Sequence, residues 1–392
     1  MLNTSFSPWP SFTQQEADAV SQVVLSNKVN YWTGQEGREF EKEFAQWAEC
    51  EYAVAVANGT LALDLALKAL GVGVGDEVIT TSRTFLASAS SIVTSGAAPV
   101  FADVDLNSQN ITAESIAAVV TKRTKAVIVV HLAGMPAEMD AIMQLSKQHG
   151  FKVIEDCAQA HGAKYKGRSV GTIGHIGAWS FCQDKIMTTG GEGGMVTTND
   201  KALWSTMWSY KDHGKSFDAI YHRDHPPGFR WLHESFGTNW RMTEMQAAIG
   251  RIQLTRMSDW MEQRQRNSQA IDEAIEGLSV VRAIHVADYI QHAHYKHYLF
   301  INPEQLAKGW TRDRIVEEIV ARGVPAYQGS CSEVYLEKAF DNTGFRPDNR
   351  LPHAIELGET SLMFLVHPTL TPAEIKLTCQ VIYDVLHLAQ IN

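Results

Sequence analysis

Short apolar runs alternate with helix-like segments through the first 250 residues of the chain. A run of four to eight apolar residues predicts a buried strand, whereas apolar residues three and four apart predict an amphipathic helix. These rules predict strands at 52–57, 77–81, 99–104, 126–131, 151–156, 178–182 and 194–198. They predict helices at 13–27 (with a capping box from Thr13 to Glu16), 35–48, 61–70, 85–94, 113–120 and 139–149. This alternation predicts an α/β fold, with a mostly parallel sheet covered on both faces.

The pattern changes towards the end of the chain. A long helix is predicted over 243–265, and a smaller α+β unit follows it. The clearest elements of that unit are predicted at 295–300, 313–322 and 373–388. We therefore expect a large domain at 1–250, and a long connecting helix with a small C-terminal domain at 251–392. Residues 214–238 are aromatic-rich with little periodicity, which is typical of a long functional loop or arm.

Composition and charge argue against several classes of protein. The net charge is −10 over 392 residues with no long basic run, which argues against nucleic-acid binding because phosphate neutralisation dominates that affinity. No apolar run approaches the roughly 20 residues of a membrane helix. No Lys or Arg precedes Lys28, so a secretory signal is not expected. The five cysteines are scattered without a C-x-x-C pair, which favours a reduced cytoplasmic protein with no metal site.

Two polar segments follow predicted strands, at the edge where ligands bind in such sheets. Glu155 and Asp156 end one strand, and Gln159 comes soon after. A buried carboxylate needs a cationic partner, although Asp156 could instead cap a helix. Lys185 lies between an apolar strand and the glycine-rich turn 190–194. A lysine held in a site can form a Schiff base, although an exposed lysine before a hairpin would show the same pattern.

A third segment, Asn-Gly-Thr at 58–60, lies between a predicted strand and a helix. Backbone amides and a hydroxyl at a helix N-terminus bind phosphate, although Asn-Gly-Thr is also a common capped turn. The three segments together offer a Schiff-base lysine, an acid for a pyridinium nitrogen and a phosphate cradle. Pyridoxal 5′-phosphate (PLP) requires this set of groups, and Phe85 is placed to stack on its ring.

Seven motifs occur in an order that resembles the DegT/DnrJ/EryC1/StrS aminotransferases, which act on sugar nucleotides. They are N-G-T-L-A-L at 58–63, T-F at 84–85, E-D-C-A-Q-A-H-G at 155–162, S-F-C-Q-D-K at 180–185, G-E-G-G-M-V at 191–196, D-H-G at 212–214 and G-T-N-W-R-M at 237–242. The resemblance implies a fold type I PLP enzyme. Such an enzyme has a mixed, mostly parallel sheet in a large PLP-binding domain and a smaller α+β C-terminal domain.

The resemblance also implies roles for individual residues. Lys185 forms the Schiff base and Asp156 pairs with the pyridinium nitrogen, so these two are the expected catalytic residues. Gln159 lies by the ring oxygen of the cofactor and Phe85 stacks on the ring. The phosphate is held by Gly59, Thr60 and Ser180.

The resemblance also implies roles for two residues outside this cofactor-binding set. Asn239 matches a position that reaches the phosphate of the neighbouring subunit, so a homodimer with a shared active site is expected. The alternative is that Asn239 caps the helix that begins near residue 243. His213 lies where the family contacts sugar or nucleotide, unless it is an ordinary solvent-facing histidine.

The retained lysine favours transamination, because some relatives that replace it with histidine are sugar dehydratases. The expected reaction moves an amino group from L-glutamate to a nucleotide-linked 4-keto-6-deoxy sugar, for amino-sugar and surface-glycan biosynthesis. Three alternatives stay open: amination at C-3, a PLP- or pyridoxamine-dependent dehydratase, and a non-catalytic regulatory homologue. Neither the sugar nor its nucleotide carrier follows from the sequence.

Overall fold

The computed structural model describes residues 6–225, 227–228 and 230–391. The helices are α1 Gln14–Leu25, α2 Glu36–Ala48, α3 Gly59–Ala69, α4 Ala87–Thr94, α5 Ala113–Ala117, α6 Met139–His149, α7 Lys201–Tyr210, α8 Phe217–Tyr221, α9 Glu244–Leu254, α10 Met257–Ala274, α11 Arg312–Ala321, α12 Pro352–Thr360 and α13 Pro372–Ala389. The strands are β1 Tyr52–Val56, β2 Glu77–Thr81, β3 Ala98–Ala102, β4 Thr124–Val130, β5 Lys152–Asp156, β6 Lys164–Tyr165, β7 Arg168–Ser169, β8 Ile176–Ser180, β9 Gly194–Thr198, β10 Val281–Ala283, β11 Ile290–Gln291, β12 His297–Ile301, β13 Ala326–Tyr327 and β14 Ser361–Phe364.

A seven-stranded sheet with the order β1-β9-β8-β5-β4-β2-β3 forms the centre of the fold. Only β9 runs against its neighbours β1 and β8, and the other neighbouring strands of this sheet are parallel. The expected mixed, mostly parallel sheet is therefore confirmed. Alternate residues of β1 enter opposite cores: Val54 packs in a core with Leu65, and Ala55 in a core with Phe44. Helices thus cover both faces of the sheet.

A second sheet, β10-β12-β14-β13, packs with α10, α11 and α13 around a separate apolar core. A third, small sheet has the order β11-β6-β7. The expected boundary at residue 250 falls inside α9, and the division into domains stays a prediction. No described helix combines the length and the apolarity needed to cross a membrane.

Two expected elements differ from the structure. The predicted helix over 243–265 is two helices, α9 and α10. At the break, the Thr255 hydroxyl donates to the carbonyl of Ile252, and Arg256 forms an ion pair with Glu16 of α1. The predicted loop at 214–238 contains the short helix α8, which Ser216 caps. Residues 226 and 229 of that segment lie outside the described residues.

The N-terminal segment crosses to the C-terminal unit before α1 begins. The backbone amide of Ser7 donates to Glu374 at 2.5 Å, and Thr369 donates to the carbonyl of Pro8 at 2.7 Å. The expected capping box between Thr13 and Glu16 is present at the start of α1. The contacts of Ser7 and Pro8 attach the segment before α1 to the C-terminal unit.

Candidate active site

A cavity of about 660 Å³ opens at the carboxyl ends of the parallel strands. It is lined by the β1–α3 junction, the segment after β2, the end of β5 and the segment after β8. Because parallel strands end at one edge of a sheet, residues far apart in sequence meet there. The sequence-predicted residues that line this cavity are Gly59, Thr60, Phe85, Asp156, Gln159, Ser180 and Lys185.

Asp156 is a buried carboxylate at the end of β5. Its oxygens accept hydrogen bonds from the Ser88 hydroxyl at 2.9 Å and from the backbone amide of Ala158 at 3.1 Å. Ser88 has one proton to donate, so the Thr84 hydroxyl donates to Ser88 in turn, at 2.8 Å. Burial raises the pKa of Asp156, and the two hydrogen bonds and Lys185 only partly oppose this effect. The charged form therefore lacks full compensation and would be stabilised by a cation in the cavity.

The neighbouring Glu155 has a different role. Successive residues of a strand point to opposite faces, and Glu155 lies away from the cavity. Its carboxylate accepts three backbone amides, from Gly171, Ile173 and Gly174, and contacts the His131 ring at 2.9 Å. These bonds lower the pKa of Glu155 despite its burial. The carboxylate thus ties the 171–174 turn to the back of β5, and of the acidic pair only Asp156 serves the cavity.

Lys185 lies at the wall of the cavity with a mostly buried side chain. Its ammonium is 3.5 Å from the Asp184 carboxylate and 5.3 Å from the centre of the Tyr295 ring. The Tyr295 hydroxyl donates to Asp184. Burial favours a raised pKa for Asp184, but Lys185 and Tyr295 together lower it. The Trp9 indole donates to the Lys185 carbonyl at 2.8 Å, so the N-terminal segment also holds the lysine backbone in place.

A helix N-terminus and a serine hydroxyl form the other end of the cavity. Asn58 caps α3 by accepting the amide of Leu61, which leaves the first amides of the helix facing the cavity. Gly59 lies against Ser180 of β8, and a β-carbon at Gly59 would be 2.5 Å from the Ser180 β-carbon. Glycine is thus required for this close approach. Free amides, the helix dipole and two hydroxyls, those of Thr60 and Ser180, suit a phosphate group.

Phe85 and Gln159 complete the cavity wall. The Phe85 side chain is 73% exposed although it borders the cavity, so its ring face is free to meet a flat ligand. The Gln159 carbonyl accepts the backbone amide of Ala133 at 2.7 Å. Ala133 has a positive φ of 56°, an uncommon conformation for a residue with a side chain. This bond sets the orientation of the Gln159 amide, whose NH2 group is left to donate.

Asn239 and His213 do not line this cavity; both are exposed and lie on neighbouring segments. Asn239 pairs with Asp212 in a β-bridge, and the His213 amide donates to the carbonyl of Thr238 at 2.9 Å. The helix cap considered for Asn239 is instead made by Thr243. Their roles towards a partner subunit and a substrate stay predictions.

Comparison with known proteins identifies the family of the chain. The model of the DegT/DnrJ/EryC1/StrS aminotransferase family matches residues 10–383. The chain belongs to this family. An X-ray structure of an aminotransferase from Psychrobacter cryohalolentis has 64% identity and a TM-score of 0.97, with 98% of this chain and 99% of that chain covered. The expected fold type I architecture is thereby confirmed.

Two curated relatives of this aminotransferase carry more specific names. GDP-perosamine synthase of Escherichia coli O157:H7 is 40% identical over 69% of this chain and 71% of its own length. UDP-N-acetyl-3-dehydro-alpha-D-glucosamine 3-aminotransferase of Acidithiobacillus ferrooxidans is 35% identical over 93% of this chain and 92% of its own length. The expected PLP-dependent transferase chemistry follows from the family itself.

The cavity of this aminotransferase fits PLP by an observation independent of the family. The chain packs so closely at Gly59 that any β-carbon there would clash with Ser180, and this close packing brings the Ser180 hydroxyl to the N-terminus of α3. The incompletely compensated Asp156 lies in the same cavity and suits a protonated ring nitrogen, and Lys185 suits the cofactor aldehyde. A phosphate, a cationic nitrogen and a carbonyl carbon are thus each matched by one wall of the cavity.

Four residues that support this site are not expected from the sequence: Trp9, Ser88, Glu192 and Tyr295. Ser88 lies one helical turn after Thr84, a signal that could have been noticed. Glu192 lines the cavity from the glycine-rich turn. Trp9 lies 176 residues before Lys185 and Tyr295 lies about 110 residues after it, so no local pattern connects them with Lys185.

Proposed function

We propose that this aminotransferase transfers the amino group of L-glutamate to a nucleotide-linked 4-keto-6-deoxy sugar, for amino-sugar and surface-glycan biosynthesis. The observation that carries the proposal is the meeting of Lys185, Asp156 and the Gly59–Ser180 cradle in one cavity. The nucleotide-linked sugars in the names of the two curated relatives support this substrate class.

Each residue of the site has a separate role in the proposed reaction. PLP, when bound, supplies a ring that accepts the electron pair released when a proton leaves the carbon that bears the amine. Asp156 keeps its negative charge beside the ring nitrogen and so keeps that nitrogen protonated. Lys185 Nζ, once free of the cofactor, takes the proton from the donor carbon and returns it on the cofactor side. Asp184, which Tyr295 holds by a hydrogen bond, would orient the Lys185 ammonium at the wall of the cavity for this proton transfer.

The position of the keto group, C-4 or C-3, determines the product. GDP-perosamine synthase is 40% identical over 69% of this chain and the named 3-aminotransferase is 35% identical over 93% of it, so these two relatives leave the choice between C-4 and C-3 to the assay. Glutamate as donor is part of the same proposal. Keeping Lys185 favours transamination over dehydration, because the proton-transfer base and the covalent anchor are both present.

We also propose that the enzyme acts in the reducing cytoplasm as a homodimer with shared active sites. All five cysteines are free, which suits a reducing compartment. The segment before Asn239 exposes two large aromatic side chains, Trp231 at 84% and Phe236 at 100%. Exposed apolar surface of this kind is typical of a subunit contact, and it would bring Asn239 close to a partner.

A two-stage assay tests the function. Added L-glutamate should convert the visible absorption of the bound cofactor to that of its amine form, which identifies an aminotransferase. A dehydratase would need the amine form supplied, and a regulatory homologue would show no change. A panel of 4-keto and 3-keto sugar nucleotides, on UDP, dTDP and GDP, then identifies the acceptor by its aminated product. Product from 3-keto sugars alone would refute the C-4 proposal.

A further inference from the structure

A group of cationic side chains lies around Tyr295, next to the reactive lysine. Arg264 of α10 is buried, with only 1% of its surface exposed, and Lys296 is half-buried in the segment before β12. Lys296 Nζ is 4.9 Å from the centre of the Tyr295 ring, and Lys185 Nζ is 5.3 Å from the same centre. One tyrosine ring therefore connects the reactive lysine with a second lysine.

These cations lack anionic partners. Among the residues that the structure describes, no carboxylate forms an ion pair with Arg264 or Lys296. Arg264 Nη1 donates to the carbonyls of His294 and Tyr295 at 3.4 and 3.2 Å, and its Nε and Nη2 have no hydrogen-bond partner. The Trp9 ring covers the guanidinium at 5.1 Å. Buried, unpaired charge is costly, so this arrangement lacks a compensating negative group.

The titratable neighbours compensate these positive charges only in part. Burial lowers the pKa of Arg264 to about 9, and burial together with Arg264 lowers the pKa of Lys296 to about 8. The nearby rings of His294 and His367 have pKa values of about 3 because they are buried, so they are neutral at pH 7. Asp184 opposes the lowering of the Lys296 pKa only in part, and its carboxylate is already bound to Lys185 and Tyr295.

We propose that Lys296, with Arg264 behind it, forms an anion-binding subsite beside Lys185 that holds an oxyanion of one of the two substrates. Lys296 contacts the anion directly, because it is half-buried whereas Arg264 is buried. Arg264 contributes its positive charge without contacting the anion. The inference rests on the proposed function for the identity of the anion. Two sources share the chemistry: a carboxylate of the amino donor and the diphosphate of the sugar nucleotide.

Calorimetric titrations of the PLP-loaded enzyme test the subsite without turnover. Glutarate serves as the carboxylate probe because it lacks the amine that reacts, and UDP and GDP serve as diphosphate probes. Lys296→Met should weaken binding of glutarate, or of the nucleotides, by at least about tenfold, because a charge-assisted contact is lost. Lys122→Met changes an exposed lysine just before the amino end of β4, at the edge of the sheet opposite the cavity, so it is the matched control and should bind all probes as wild type does.

The pattern of losses identifies the source. A loss confined to glutarate assigns the subsite to the donor carboxylate, and a loss confined to UDP or GDP assigns it to the diphosphate. Unchanged affinity for all three probes in Lys296→Met overturns the proposal, as does an absence of binding by wild type. The Arg264→Lys variant keeps the positive charge and should keep at least part of the affinity for the anion. If Arg264 has only a structural role, this variant should melt at a lower temperature but bind the probes as tightly as wild type does.

Failure of the subsite and failure of the proposed function give different results. If wild type aminates a keto sugar nucleotide but Lys296→Met has an unchanged KM for both substrates, the function stands and the subsite is refuted. If wild type aminates no sugar of the panel, the function is refuted, and the titrations still decide whether the anion subsite exists. Thermal melting of each variant with bound PLP checks that the fold is intact.

Discussion

Replacing Gly59 by alanine should damage cofactor binding through one steric contact. The new β-carbon would lie 2.5 Å from the Ser180 β-carbon, 2.8 Å from Oγ and 3.0 Å from the α-carbon. Carbon atoms pack at about 3.5–4 Å, so α3 and β8 must separate by about 1 Å. Two of these three atoms cannot rotate away because they belong to, or are fixed by, the backbone of β8.

The magnitude follows from two opposing effects. Overpacking of this kind costs about 1–3 kcal/mol, whereas alanine gains at most about 1 kcal/mol over glycine in helix propensity. When the full gain is subtracted, the net loss of stability is about 0–2 kcal/mol. The separation also moves the Ser180 hydroxyl from the α3 amides, and one weakened hydrogen bond to a charged group costs about 1.5–3 kcal/mol. PLP affinity should therefore fall about tenfold or more.

Thermal melting with and without PLP, and absorbance titration of the PLP-free protein, measure both effects. Gly73→Ala is the matched control, because a β-carbon there meets only the Ser95 carbonyl at an ordinary 3.9 Å. The control should keep wild-type PLP affinity. If Gly59→Ala binds PLP as tightly as wild type, the Gly59–Ser180 contact does not form the phosphate cradle, and the reasoning is refuted.

Three further outcomes are expected. Lys185→Ala should lose turnover and the visible absorption of covalently held PLP while melting as wild type does; wild-type turnover would contradict the reading of the site. Asp156→Asn should lower kcat by about 10²–10³-fold, because a charge beside the cofactor ring is removed. Since burial raises the pKa of Asp156, the PLP-free variant should also gain thermal stability over wild type above that pKa, and lose this gain as pH falls and the wild-type carboxyl becomes neutral. Mixing inactive Lys185→Ala and Asn239→Ala subunits should restore activity above either parent, since a shared site leaves one intact site in each mixed dimer; activity equal to the parental average would rule out sharing.

The sequence alone was sufficient to predict the architecture of the large sheet and most of the residues that line the cavity. Apolar runs such as that of β4 mark buried strands, and the polar residues that follow them must lie at one edge because the strands are parallel. Lys185, Asp156 and the 58–60 turn could be brought together on that basis. Local pattern was also sufficient for the capping box of α1.

Tertiary structure gives the physical reason why Asp156, and not the adjacent Glu155, serves the site. Glu155 and Asp156 look equivalent in sequence, but the pleat of β5 turns one to the 171–174 turn and the other to the cavity. It also decided where the predicted long helix breaks, since the ion pair of Arg256 with Glu16 joins residues 240 positions apart. Such contacts leave no periodic signal along the chain.

The surroundings of Lys185 were likewise a product of folding alone. Trp9 and Tyr295 approach the lysine from 176 and about 110 residues away, and the unpaired cations of Arg264 and Lys296 become visible only when α10 and the segment before β12 are packed together. The sequence by itself determined the residues that carry the chemistry, because that chemistry requires particular side chains after particular strands. The tertiary structure alone determined what surrounds them, because burial, pairing and charge compensation depend on residues that only the fold brings into contact.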